Sequence, residues 1–255
     1  MASWAARVDV VMQKLIEHFG TAYVINLPER KDRLRSFRKE LARAGWELGD
    51  SGVRHFTAFR FSDRQTFPTA QIRGCFHSHM GCLLDAQKSA SGHVLVMEDD
   101  IALSAVMEEI TPQIVQQMEA VPWDFIYFGH DDTGDIPMLR AGREKTIKFH
   151  EYEGAVKGAH FYAVNQRILE RLVQHLDRVV SGREGDQEYG PMPIDGAFNI
   201  FRWKNPDVRT FIAAPKLGWQ LPSRSDITPR GFDSIRLLRP LVAVYRGFKS
   251  IAMRG

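Results

Sequence analysis

The sequence predicts an α/β fold, a largely parallel sheet with helices on both faces, and three observations carry that prediction. Val94-Leu95-Val96-Met97 are four consecutive apolar residues, two of them β-branched, the pattern of a strand buried on both faces. The run stops abruptly in Glu98-Asp99-Asp100, and the carboxyl ends of strands are where open α/β sheets bind ligands. Along the rest of the chain, short apolar runs alternate with stretches of helical period, which argues for strand–helix–strand units.

Taken in order, Trp4, Val8, Val11, Met12, Leu15, Ile16 and Phe19 keep helical spacing with Gly20 as a cap, so residues 1–21 are expected to form an N-terminal helix. Ala22 to Leu27 reads as the first strand, stopped by Pro28. Lys31 to Ala44 reads as a helix with Leu34, Phe37 and Leu41 on one face, closed by Gly45. A second strand is expected over Val53 to Phe59, a loop over 62–73, and a helix from Cys75 to Ser89 that leads into the acidic strand. Beyond it come a helix over Glu108 to Met118, a strand over Trp123 to Phe128, and a polar, Gly-rich surface loop over His130 to Lys145. Ala159 to Val164 reads as a strand, Arg167 to Val179 as a helix, 181–194 as a loop, and Val208 to Ala213 as the last strand. The main domain is thus expected over 22–233, with 234–255 as a separate tail.

Composition excludes several classes. The 255 residues are 44% hydrophobic and 25% charged, ordinary for a globular chain with a sizeable core. Cys75 and Cys82 lack close zinc-type spacing and read as reduced, buried thiols, which favours a reducing, cytoplasmic compartment. The first residues carry Arg7, Asp9, Lys14 and Glu17 and do not read as a signal peptide. No apolar run approaches the roughly 20 residues that span a bilayer. The net charge of +3 is uneven: from Ser234 onward there are five bases and no acid, leaving 29 bases against 31 acids elsewhere. Nucleic acid is therefore not an expected partner. In the tail, Leu237, Leu241, Val244, Tyr245, Phe248, Ile251 and Ala252 fall on one helical face, and Arg236, Arg239, Arg246 and Lys249 largely on the other. Such a C-terminal amphipathic helix can lie on the inner face of a membrane or pack onto the domain.

The chemistry concentrates at four places. Glu98 and Asp100, alternating along an extended backbone, would leave on one side and offer two hard oxygen ligands to a divalent cation that also holds a phosphate; an acidic helix start is the plain alternative. Asn26 ends the first strand, and Arg30 and Arg33, three apart, would share a helix face and clamp phosphate oxygens. His77 and His79 would converge on a metal if extended, but diverge by roughly 200° if helical; the helix leaves His79 as the histidine near a ligand. Asp195 follows a Gly-rich loop and precedes Ala197, Phe198, Ile200 and Phe201, as a general base or a helix cap would.

Together these segments resemble glycosyltransferase family 25, which includes lipopolysaccharide glycosyltransferases and procollagen galactosyltransferases. Val24-Ile25-Asn26-Leu27 with Arg30 and Arg33 is similar to the family's opening strand and Arg-bearing turn. Gly74-Cys75 with Ser78-His79 resembles its Gly-Cys…Ser-His segment, Val94 to Asp100 its strand ending in Glu-Asp-Asp, and Gly158-Ala159 with Tyr162 a later strand. Ile194-Asp195 resembles its hydrophobic-Asp pair, and Pro215 through Gln220 to Ser225-Asp226-Ile227 its closing segment. The resemblance covers about residues 22–228. An acidic residue usual before the Gly-Cys pair is missing, since Gln71-Ile72-Arg73 stands there.

The resemblance implies a GT-A-like fold and inverting transfer of a sugar, commonly galactose from UDP-galactose, to a glycan or lipid-linked glycan acceptor. It implies that Glu98 and Asp100 hold Mn²⁺ or Mg²⁺. Asn26, Leu27, Arg30, Arg33, Ser78, His79 and Asp99 would line the nucleotide-sugar cleft, Asp195 would be the catalytic base, and Asp226 would close the pocket or stand in as base. The 130–145 loop could act as a lid. Two other classes remain open: a metal-dependent phosphohydrolase using His77 and His79, and a nucleotide-sugar-binding module without catalysis.

Overall fold

The computed structural model describes residues 18–49, 52–89, 92–131 and 146–221. The expected N-terminal helix up to residue 17, loop residues 132–145, Asp226 and the 234–255 tail lie outside the described residues.

The described elements follow in the order β1 (Phe19–Asn26), α1 (Lys31–Arg43), β2 (Val53–Thr57), α2 (Ala70–Ser89), β3 (His93–Glu98), β4 (Ile101–Leu103) and α3 (Met107–Ala120). Then come β5 (Phe125–Gly129), β6 (Lys148–Glu151), β7 (Phe161–Val164), α4 (Gln166–Ser181), α5 (Ile194–Lys204), β8 (Thr210–Ala214) and β9 (Gly218–Gln220). Seven strands form one sheet in the order β2-β1-β3-β7-β5-β8-β6. β1 is parallel to β2 and β3, and β5 to β8; β7 runs against both β3 and β5, and β6 against β8. Five strands therefore share one direction, and the expected α/β architecture with a largely parallel sheet is what forms.

Alternation along each strand builds the two cores. Ala22, Val24, Leu95 and Met97 face the layer of α1 and α3, where Phe37, Leu41, Ile110 and Ile114 are buried. Tyr23, Ile25, Val94 and Val96 face α2, α4 and α5, where Phe76, Leu83, Leu172 and Phe198 are buried. With both faces covered, the central strands must be apolar on every residue. Burying each such Leu, Ile or Phe contributes about 1.5–3 kcal/mol, so the sheet and not local propensity fixes where strands begin.

That rule explains most of the differences from the sequence expectation. β1 starts at Phe19, so Phe19-Gly20-Thr21 are extended and do not end a helix; the Phe19 ring is 3% exposed and packs edge-on against Phe128. α2 starts at Ala70, where a loop was expected, because the Thr69 hydroxyl accepts the Ile72 N–H at 3.1 Å and supplies the cap. β3 ends at Glu98, and Asp99-Asp100 form a turn, so the expected extended alternation from Glu98 to Asp100 does not occur. The strand expected over Val208 to Ala213 forms as β8 but is not the last among the described residues: β9 follows it and pairs with β4, Ile101 opposite Gln220. β4, β6 and β9 are three or four residues long and exist through their partners.

Close packing where β5 meets β9 gives a direct test. A Cβ on Gly129 would lie 2.7 Å from the Gly218 carbonyl oxygen and 2.8 Å from His160 Nε2. Gly129→Ala is expected to destabilise the domain by about 2 kcal/mol, read as a lower urea midpoint at unchanged slope; an unchanged midpoint would refute the packing.

Candidate functional site

The carboxyl ends of β1, β2 and β3 open onto one cleft of about 550 Å³. Its walls include Leu27, Arg33, Phe59, Arg60, Phe61, Cys75, Ser78, His79, Glu98, Asp99, Asp100 and Gln220. The ends of β1 and β3, with α1 and α2, thus bring together residues that the sequence spreads over some seventy positions.

The floor is a charge network. Asn26 is 3% exposed, and its amide donates to Asp99 Oδ2 and, at 3.1 Å, to the Arg30 carbonyl. Arg33, in the first turn of α1, reaches Asp99 Oδ1 and Asp100 Oδ2, each at 3.3 Å, with 14% of its side chain exposed. Burial raises the Asp99 carboxyl despite these partners. Burial and the neighbouring Glu98 charge push Asp100 up to about 7, with Arg33 opposing. One arginine for two buried acids leaves the site short of positive charge.

Glu98 is held differently. Burial alone would raise its carboxyl, but the hydrogen bond and charge of His79 outweigh it and hold it below the usual range. His79 is 1% exposed; Nε2 faces Glu98 Oε1 at 3.2 Å, and Nδ1 meets the Tyr162 hydroxyl at 3.1 Å. On its other side Glu98 Oε2 accepts from the Gln220 amide at 3.4 Å, and that same amide hydrogen-bonds Asp100. Cys75, one helical turn before His79, joins it and Glu98 in a group able to hold a metal ion. Burial pushes the Cys75 thiol well up, and the charges of Glu98, Asp195 and Asp100 add to it.

Ser78 is also in the wall. Its hydroxyl donates to the Gly74 carbonyl at 2.7 Å and accepts from the Phe59 N–H at 2.9 Å, which ties the loop after β2 to α2. Gly74 is needed there: a Cβ would lie 2.6 Å from the Phe59 carbonyl oxygen.

The expected pairing of Arg30 with Arg33 does not form. Arg30 precedes α1 and its guanidinium turns to Asp32 at 3.2 Å, because a residue outside the helix does not share a helical face with one inside it. His77 and His79 diverge, as a helix requires: His77 Nδ1 meets the Arg73 carbonyl at 2.8 Å, and its ring packs on Phe61 and Phe67. The helix thus leaves His79 alone at the cleft, as expected, and the joint ligation that a phosphohydrolase reading needs does not form. Asp195 sits in the first turn of α5, half-buried and outside the cleft wall. Its carboxylate accepts the Gly158 N–H at 3.1 Å and the Gly196 N–H at 2.9 Å.

Sequence reasoning passed over Phe59, Arg60 and Phe61, and named Cys75 and Gln220 only within segments that resemble the family, without a role at the site. Two signals could have found most of them: Phe59-Arg60-Phe61 comes just after a strand end as Leu27 and Asp99 do, and Cys75 precedes His79 by one turn on the same helix face.

No family model matches the chain, and no curated protein matches it. Among solved structures, a glycosyltransferase involved in the glycosylation of the major capsid of PBCV-1 is similar at 12% identity and a TM-score of 0.43, over 76% of this chain and 81% of that one. A197 from STIV is similar at 13% identity and a TM-score of 0.39, over the same shares. Mannose-1-phosphate geranyltransferase from Thermus thermophilus is similar at 11% identity and a TM-score of 0.36, over 83% of this chain and 66% of that one.

Proposed function

We propose that this chain is a GT-A-like glycosyltransferase of the family 25 type, moving galactose from UDP-galactose to a hydroxyl of a glycan or lipid-linked glycan, with inversion, in lipopolysaccharide or surface-glycan synthesis. The observation that carries the proposal is the convergence of Leu27, Arg33, Ser78, His79, Glu98, Asp99 and Asp100 on one cleft at the sheet's carboxyl edge, where nucleotides bind in such sheets.

The cleft's charge balance fits a diphosphate that arrives with a divalent cation. Glu98 and Asp100 face a common point now served by the Gln220 amide, and their mutual repulsion raises Asp100. Mn²⁺ or Mg²⁺ held by Glu98 and Asp100 would supply the positive charge that a nucleoside diphosphate leaving group needs. Asn26 and Arg33 fix Asp99 and Asp100 in place, so these carboxylates keep one orientation. Phe59 is 46% exposed at the rim and offers a flat apolar surface to a base or sugar ring. Asp195, whose charge reaches Cys75, takes the acceptor hydroxyl's proton in this scheme. An acceptor presented at the inner face of a membrane would suit the basic tail.

Calorimetric titration of a nucleotide-sugar panel, with and without Mn²⁺, tests the proposal on wild type and Asp100→Ala. UDP or UDP-galactose binding that requires Mn²⁺ and is lost in the variant is expected. No nucleotide binding with any cation would overturn it.

A further inference from the structure

We propose a second, chemically different metal site in the wall of the cleft: the Cys75 thiolate, the His79 imidazole and the Glu98 carboxylate take a transition-metal ion of the zinc class. This inference rests on the geometry of those three side chains and not on sugar transfer.

Cys75 and His79 are four apart on α2 and so lie on one helix face, opposite Glu98 at the end of β3. One ligand atom from each lies within 4.8 Å of the other two. The separation of His79 Nε2 and Glu98 Oε1 is 3.2 Å. Two ligands bound at about 2.0 Å to a tetrahedral ion stand about 3.3 Å apart, so this pair is already spaced as neighbouring corners. The remaining ring nitrogen, Nδ1, meets the Tyr162 hydroxyl at 3.1 Å, and Tyr162 is fully buried. A hydrogen bond of this kind fixes the ring and leaves the other nitrogen for the metal. All three residues line the cleft, so the fourth corner opens toward whatever the cleft binds, as in sites where the ion does chemistry.

The donor set decides the ion. Thiolate and imidazole favour zinc-class ions, whereas Mg²⁺ prefers an all-oxygen shell. The two oxygens of Glu98 divide accordingly: Oε1 faces His79, and Oε2 faces Gln220. Binding balances simply. The thiol gives its proton to solvent as the sulfur–metal bond forms, and His79 gives up the Nε2 proton it holds against Glu98 while keeping Nδ1–H toward the Tyr162 oxygen, so two protons are released per ion.

Cobalt(II) is the probe, added to the full-length, metal-free chain. One equivalent is expected to produce a thiolate-to-cobalt charge-transfer band in the near ultraviolet, with the strong visible bands of a four-coordinate ion, and Zn²⁺ is expected to abolish both. Cys75→Ser, a near-isosteric change that keeps the fold, is expected to remove the charge-transfer band. Its loss of Zn²⁺ affinity should exceed the 10–100-fold typical of losing an outer partner. Cys82→Ala and Asp100→Asn are expected to retain the band. Absence of the band in wild type, or its persistence in Cys75→Ser, would overturn the site. So would loss in Asp100→Asn, which would make Asp100 a necessary ligand and break the Cys75–His79–Glu98 donor set. Each of these results leaves the nucleotide-sugar titration to stand or fall by itself.

Discussion

Replacing Asp100 with Asn is expected to stabilise the fold at pH 8 while removing Mn²⁺-dependent nucleotide binding. Asp100 is raised from 3.8 to about 7, first by burial and then by the Glu98 charge. An acid raised on folding holds its proton more tightly folded than unfolded. Stability is therefore lost as pH rises from about 4 toward about 7, and the loss is complete above that. Each unit of the shift is worth about 1.4 kcal/mol, so the gain in Asp100→Asn at pH 8 is on the order of 2–4 kcal/mol. Urea unfolding of both proteins at pH 5 and pH 8 checks it. The wild type should weaken between the two values relative to the variant; parallel behaviour would show that Asp100 is not strained by its surroundings.

Arg33→Met is expected to do the opposite. The guanidinium is the charge that Asp99 and Asp100 share, and taking one partner from a buried ionic group costs about 3–5 kcal/mol. The loss should be largest at pH 8 and shrink as pH falls, because protonated carboxyls no longer need the arginine. Arg33→Met and Asp100→Asn touch one network, so their effects should not add: the double variant should recover part of what Arg33→Met loses. Additive values at pH 8 would place Arg33 outside the network.

The paired signs explain what the sequence could and could not tell. Asn26, Arg33, His79 and the Glu98-to-Asp100 run were legible because each follows or faces a strand that must be buried, and a polar residue forced to such an edge has a reason to be there. The partnership of Arg33 with Asp99 and Asp100 was not legible, since it depends on β1 and β3 lying side by side across some seventy residues. Arg30 misled for the opposite reason: spacing to Arg33 implied a shared face, but the helix begins after it. Cys75 went unassigned because a cysteine without a close second cysteine reads as core, and only the packing of α2 against β3 brings Glu98 to it. The short strands β4 and β9 carry no signal alone, since Ile101 and Gln220 become strand residues only by meeting.

The tie from Ser78 to the Phe59 N–H, with the Phe59 carbonyl seated over Gly74, has a consequence for how the cleft selects. Its rim is fastened to a helix before any ligand arrives, so the entropy of ordering it was spent in folding and is not charged to binding. For the proposed ligand, a rim ordered in this way would discriminate by shape, favouring a ring that fits between Phe59 and the β1 edge over one that needs the loop to yield.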